Sequence, residues 1–177
     1  MLKLLAISGV VIVVIVVCVL ALAAMTPASF TAQRSIHVQA APEKIFALID
    51  DLHRWPEWSA NEPDDSTISR KYSGAPSGKG AICEWEGKGR AGKGRIEIVE
   101  SSPNRIRLQA DWAKPFAARN FNIFTLEPQG NATRITWVLD CENVFMLKVM
   151  TVFVSTDRLM GTHLEAGLAS LKGAAEK

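Results

Sequence analysis

The chain has 177 residues, 48% of them hydrophobic, and 20 Lys and Arg against 18 Asp and Glu give a net charge of +2. Mean hydropathy is +0.11, and the excess sits in one place, residues 4–25, where only Ser8 and Gly9 are not hydrophobic. One apolar segment plus one domain of about 150 residues excludes a polytopic channel, a disordered chain and a two-lobed enzyme, and the near balance of charge argues against nucleic acid as a partner.

At ~1.5 Å per residue the apolar run reaches about 33 Å as a helix, enough to cross a hydrocarbon core of roughly 30 Å. No charge stands between Lys3 and Arg34, so the helix has no polar face to lay along an interface. Ala21-Leu22-Ala23 spells the A-x-A pattern of a signal-peptide cleavage site. Against cleavage, the apolar region is longer than a signal peptide needs and its basic flank is one lysine. The expectation is therefore a membrane anchor over residues 1–25, with a cleaved signal peptide as the alternative. Lys3 on the N-terminal side places that end in the cytoplasm and the domain on the extracytoplasmic, periplasmic side.

A short linker, residues 26–30, leads into a domain over residues 31–177. Residues 30–40 read as a strand, with Ile36 and Val38 alternating against Ser35 and His37. Pro42 opens a helix on which Ile45, Phe46 and Ile49 recur at helical spacing. Pro56 ends any helix in the following stretch, where Trp55 and Trp58, three apart, share one face of a short turn. From residue 67 the period changes to two. Strands are predicted at 68–72, 81–86, 94–100, 105–112, 119–126 and 133–141, separated by Gly, Pro and Asn, as in a meander of antiparallel hairpins. Ile106, Leu108, Ala110 and Trp112 oppose Arg105, Arg107, Gln109 and Asp111, so each strand buries one face only. The covering element is an amphipathic helix of some 25 residues carrying Met146, Met150, Phe153, Met160, Leu164, Leu168 and Leu171. A curved sheet wrapped on that helix leaves a concave space.

Most chemical motifs dissolve on inspection. Residues 87–92 spell G-x-G-x-x-G, but a strand pattern follows where a dinucleotide site needs a helix, so a hairpin turn is expected and no nucleotide cofactor. Lys88, Arg90, Lys93 and Arg95 form a basic hairpin flanked by Glu84, Glu86 and Glu97, a solvated edge rather than a nucleic-acid surface. His37, His53 and His163 are scattered singly and the three cysteines show no paired spacing, so no metal site and no disulfide framework is expected. Cys83 and Cys141 read as small apolar residues. No serine sits in a nucleophile elbow. Glu84 and Asp140 oppose the apolar residues of their strands and read as surface positions.

The order of elements and several strings resemble the START-like superfamily, in particular its bacterial polyketide cyclase/dehydrase-type proteins. The strings include Ala41-Pro42-Glu43-Lys44-Ile45-Phe46, Trp55-Pro56-Glu57-Trp58-Ser59, Tyr72-Ser73-Gly74, Trp85-Glu86-Gly87, Thr133-Arg134-Ile135-Thr136-Trp137 and Leu164-Glu165-Ala166-Gly167-Leu168. The resemblance implies an α+β helix-grip fold: about seven antiparallel strands around a long C-terminal helix, with a cavity between them for hydrophobic small molecules. After Trp58-Ser59 similar proteins often continue with Pro and an aromatic, where Ala60-Asn61 stand here.

The expected cavity lining is Trp55, Trp58, Trp85, Leu108, Trp112, Asn120, Asn122, Phe124, Trp137, Phe153, Met160 and Leu164. The tryptophans line a cavity or form core, and the sequence carries both readings. If Phe124 and Leu126 face inward, the period of two turns Asn120 and Asn122 inward too, either to hydrogen-bond a ligand carbonyl or to sit at a hydrated end. The functional expectation is a membrane-anchored domain that binds a hydrophobic small molecule or lipid, without metal or cofactor. The alternatives are a cyclase or dehydratase using the same cavity, and an interaction module whose cavity is filled.

Overall fold

In a computed structural model, residues 2–27, 29–59, 68–88, 92–114, 117–142, 145, 148–149 and 155–177 are described. Helix α1 (Leu2–Met25) carries the apolar run and is long and apolar enough to cross a membrane. Strand β1 (Ser29–Val38), helix α2 (Pro42–Asp50) and a 3₁₀ turn (Leu52–Glu57) follow. Six further strands come next: β2 (Ser69–Gly74), β3 (Ala81–Glu86), β4 (Lys93–Ser102), β5 (Arg105–Lys114), β6 (Ala118–Gln129) and β7 (Ala132–Glu142). Helix α3 (Thr156–Ala175) closes the chain.

The strands form one antiparallel sheet in the order β1-β7-β6-β5-β4-β3-β2. Only β1 departs from a simple meander, returning to pair with the last strand. The curved sheet and its C-terminal helix make the helix-grip arrangement. Alternation decides the two faces. On β5, Ile106, Leu108 and Ala110 are buried while Arg105 is exposed and Arg107 lies over the ring of Phe121 on the outer face, at 4.1 Å. Glu84 is exposed and Asp140 half-buried, both on the outer face as predicted.

Local chemistry explains how the short elements dock. Ile45, Leu48 and Ile49 form the buried stripe of α2. The last carbonyls of that helix have no partner within it. The indole N–H of Trp58 donates to the Leu48 carbonyl and that of Trp55 to the Ile49 carbonyl, both at 2.9 Å. Asp51 caps the 3₁₀ turn by accepting from the His53 N–H. The two tryptophan rings lie 5.0 Å apart, as the three-residue spacing requires.

Helix α3 lies over β1 and β7, burying Leu164, Leu168, Leu171 and Ala175. It begins at Thr156, with Ser155, a good N-cap type, in non-helical conformation before it; of the earlier part of the 25-residue helix expected from periodicity, Lys148 and Val149 are helical, as is Phe145 just before it. Met146, Met150 and Phe153 lie outside the described residues. Arg34 holds the helix from the inner face of β1. Its guanidinium donates to both Asp157 oxygens, at 2.8 and 3.0 Å, and to Glu165 at 2.7 Å. That pairing raises the Arg34 pKa and holds the Asp157 carboxyl below its usual range. The carboxylates are exposed, so the clamp sets register more than stability.

Candidate functional site

Cross-strand register arranges the inner face in rows, since residues opposite one another in an antiparallel pair share a face. One set of rows is large and closed. Ile98, Ile106, Leu108, Phe124, Leu126 and Ile135 are all 0–2% exposed. Trp58 seals this half, with its ring 6.1 Å from Phe124 and 6.3 Å from Trp137. Trp137 packs on Phe124 at 4.8 Å and under His163 of α3 at 5.9 Å. Helix α3 comes this close because residue 167 is glycine: a Cβ there would lie 2.5 Å from the Trp137 ring.

The other set of rows is built from small residues. Ala110 and Cys141 flank Asn120, and Gly94 and Ala118 flank Trp112. Trp85 folds across Gly94, where a Cβ would stand 2.6 Å from the ring, and meets Trp112 edge-on at 5.0 Å. Burial relaxes along this direction. Ile96, Leu139, Cys141 and Asn122 are 5–8% exposed, and Phe30, Trp85, Trp112, Ala118 and Asn120 are only half-buried.

A hydrogen-bond chain joins the halves. The Trp137 indole N–H donates to Asn122 Oδ1 at 3.0 Å, and Asn122 Nδ2 donates to Asn120 Oδ1 at 3.1 Å. An indole nitrogen can only donate. Its direction therefore fixes the orientation of the Asn122 amide, and that amide fixes Asn120 in turn. The chain ends on the Asn120 NH₂ group, whose N–H donates to no partner among the described residues, beside the small side chains of Ala110 and Cys141. The arrangement leaves the Asn120 NH₂ group as the donor end of the chain, among mostly apolar side chains.

Other titratable groups border the inner face. Burial lowers the His163 pKa, favouring the neutral ring. Burial first, and the Asp140 charge second, push the Cys141 thiol up to about 12, which keeps it protonated and unsuited to act as a nucleophile. Tyr72, opposite Cys83 on β2, is stacked by the His53 ring at 4.0 Å, and His53 Nδ1 lies 3.0 Å from Asp51 Oδ1. Among the described residues no cluster of His, Cys, Asp and Glu could hold a metal ion. Strands β3 and β4 pair antiparallel, with the Gly87 N–H bonded to the Gly92 carbonyl between them, and a strand rather than a helix follows; residues 89–91 of the G-x-G-x-x-G string lie outside the described residues.

The structure divides the expected lining residues. Trp58, Leu108, Phe124, Trp137 and Leu164 lie in the closed half, with Trp55 against Trp58. Trp85, Trp112, Asn120 and Asn122 gather in the small-residue half. Met160 is half-buried on α3, and Phe153 lies outside the described residues. Arg34, Tyr72, Ala110 and Cys141 were not among the expected residues. The period of two does place Arg34 with Ile36 and Val38, so its inward position was legible.

Comparisons with known proteins agree with this architecture. No curated protein matches the sequence significantly. Among solved structures, the chain is similar to protein CV1439 from Chromobacterium violaceum at 14% identity, over 86% of this chain and 99% of that one, with a TM-score of 0.57. It is similar to TTHA0849 from Thermus thermophilus at 19% identity, over 82% and 97%, with a TM-score of 0.58. DynU16, described as a putative protein in the dynemicin biosynthetic locus, matches at 16% identity over 81% of this chain and 46% of its own, with a TM-score of 0.57. These likenesses show the fold. The family model described as polyketide cyclase / dehydrase and lipid transport matches residues 29–176, and the chain belongs to that family.

Proposed function

We propose that this domain binds an apolar small molecule or lipid-like ligand carrying an acceptor oxygen, in the small-residue half of the inner face. Trp85 and Trp112 supply the wall, Ala110, Cys141 and Gly94 leave the room, and Asn120 supplies the donor. The observation that carries the reading is the Trp137–Asn122–Asn120 chain, which engages Asn120 Oδ1 and leaves its NH₂ group as the donor end, in a row between Ala110 and Cys141. A mostly apolar site with one placed polar group suits a hydrophobic ligand with a single carbonyl or hydroxyl. The family description, which names lipid transport, supports the same class.

The domain is held at the membrane by α1 as a retained anchor, with the domain on the periplasmic side as Lys3 directs. The apolar run over residues 4–25 is longer than a signal peptide needs and its basic flank is one lysine, which supports retention over cleavage.

The test is binding to the full chain in detergent, comparing a long-chain ketone with the alkane of equal length. The ketone is expected to bind more tightly. Asn120→Ala should weaken the ketone about fivefold, corresponding to a net hydrogen bond of ~1 kcal/mol, and leave the alkane unchanged. Equal loss for both ligands would remove the role given to Asn120, and binding of neither would favour a filled interaction module.

A second reading, a cyclase or dehydratase, draws on Tyr72, which projects from the inner face of β2 with its ring stacked by His53. Turnover of a polyketide-like substrate that survives Tyr72→Phe would dismiss that pair as its acid and base.

A further inference from the structure

The small-residue half lies at the end of the sheet that adjoins α1. Phe30, five residues beyond Met25, opens the row Phe30–Cys141–Asn120–Ala110. Val38, at the other end of the same strand, lies about 26 Å further along at ~3.3 Å per residue. The strand ends at Lys114 and Ala118 belong to the end near α1, because Ala118 pairs with Trp112, one row beyond Asn120. The β6–β7 turn, with Asn131, belongs to the opposite end.

Helix α1 is not a tether that merely ends above the domain. Val19, Ala23 and Thr26 follow one another at four and three residues, so they share one helix face. They are the covered positions of that stretch, with Ala23 at 0%, while Leu20 and Leu22 are exposed. Val19 lies six residues before Met25, about 9 Å along the axis. The rest of the chain therefore reaches alongside the apolar run rather than stopping at its end.

The connection between β7 and α3 supplies one of the contacts. Lys148 Nζ donates to the Thr26 carbonyl at 3.1 Å, just past the last turn of α1, where carbonyls lack helical partners. In that same connection Phe145 is 60% exposed. Among the described residues it is the one large hydrophobic outside α1 that is exposed. A single exposed phenylalanine is ordinary on most surfaces. Beside a membrane-crossing helix, with a lysine three residues on, it has the chemistry of the bilayer interface, where aromatic rings and basic side chains anchor.

We propose that this end of the domain, with Phe145, Lys148 and the strand end at Lys114, rests on the surface of the bilayer that α1 crosses. The small-residue half of the inner face then opens toward lipid and not toward bulk water. The occupant is the lipid surface itself, because the contact is continuous with α1. The inference rests on α1 being retained, as proposed above.

The test uses the full chain with Cys18→Ala, reconstituted in phosphatidylcholine–phosphatidylglycerol vesicles. Nitroxides are placed singly at Phe145→Cys, Lys114→Cys and Asn131→Cys. Cys83 and Cys141 are buried. Co-flotation with the vesicles reports the anchor separately from the docking. The expected result is that oxygen relaxes the label at 145 more than a water-soluble nickel chelate does, that 131 shows the reverse, and that 114 ranks nearer lipid than 131. A floating chain whose 145 and 114 labels are as water-accessible as 131 would overturn the docking and leave the anchor standing. A chain that does not float would overturn both.

Discussion

The two halves of one inner face follow the same alternation and differ in residue size. Toward Ile106, Phe124 and Ile135 most inward side chains are large and fully buried, and Trp58, Trp137 and α3 pack on them. Toward Ala110, Asn120 and Cys141 the floor is small and the large rings stand at its margin. Burial of apolar surface drives both, at roughly 25 cal/mol per Å². The first half uses it to hold the fold. The second leaves part of it available to a ligand. The lesson is that a concave sheet need not be uniformly packed, and that side-chain volume along the strands decides where room for the proposed ligand is left.

The contrast can be broken most severely in the filled half. Phe124→Ala should cost about 3–5 kcal/mol, because the removed ring leaves a void between Trp58 and Trp137 that cannot collapse; denaturant unfolding of the full chain in detergent would show it. Next in size is the helix contact. Gly167→Ala forces a Cβ onto Trp137 and should destabilise by about 1–3 kcal/mol from overpacking. Gly173→Ala, where nothing lies within 4 Å of the added carbon, should instead stabilise by up to ~1 kcal/mol from helix propensity. Opposite signs on one helix would isolate packing from propensity.

In the small-residue half the balance of effects reverses. Trp112→Ala should lower affinity for the long-chain ketone about tenfold or more, while costing less stability than Phe124→Ala, since its ring is only half-buried. Isothermal titration and unfolding of the same preparation measure both. The smallest effect is on pH. His163 has a folded pKa depressed below 6.5 by burial, so the unfolded chain takes up a proton before the folded one does. The stability it contributes is fully present above pH 6.5 and is lost as pH falls through the folded pKa. His163→Gln should flatten that slope in unfolding curves between pH 7 and 5.

The fold was largely legible in the sequence. Period-two alternation located the strands to within a few residues, and the glycine string at 87–92 was correctly a hairpin, because the residues after it alternate. Alternation, however, tells which face a residue occupies and not which row. Trp137 and Trp112 have the same parity, and so do Phe124 and Asn120. What separates them is register between strands, fixed by hairpin lengths and by the shifts in the β4–β5 ladder at Lys93/Gly94 and Ile98/Glu100. The break before α3 escaped the sequence for a related reason: Phe145, Lys148 and Val149 are helical, as the apolar spacing leads one to expect, but Ser155 is not, and its signal as a helix start is one that periodicity ignores.

The central claim is that ligand occupies the small-residue half. The five indole N–H signals of the full chain in nanodiscs, assigned by single Trp→Phe substitutions, test it directly. Titration with the long-chain ketone should shift the Trp85 and Trp112 signals and the Asn120 side-chain amide, with Trp55 and Trp58 unmoved. Shifts at Trp58 and Trp55 with Trp85 and Trp112 unmoved would contradict the account.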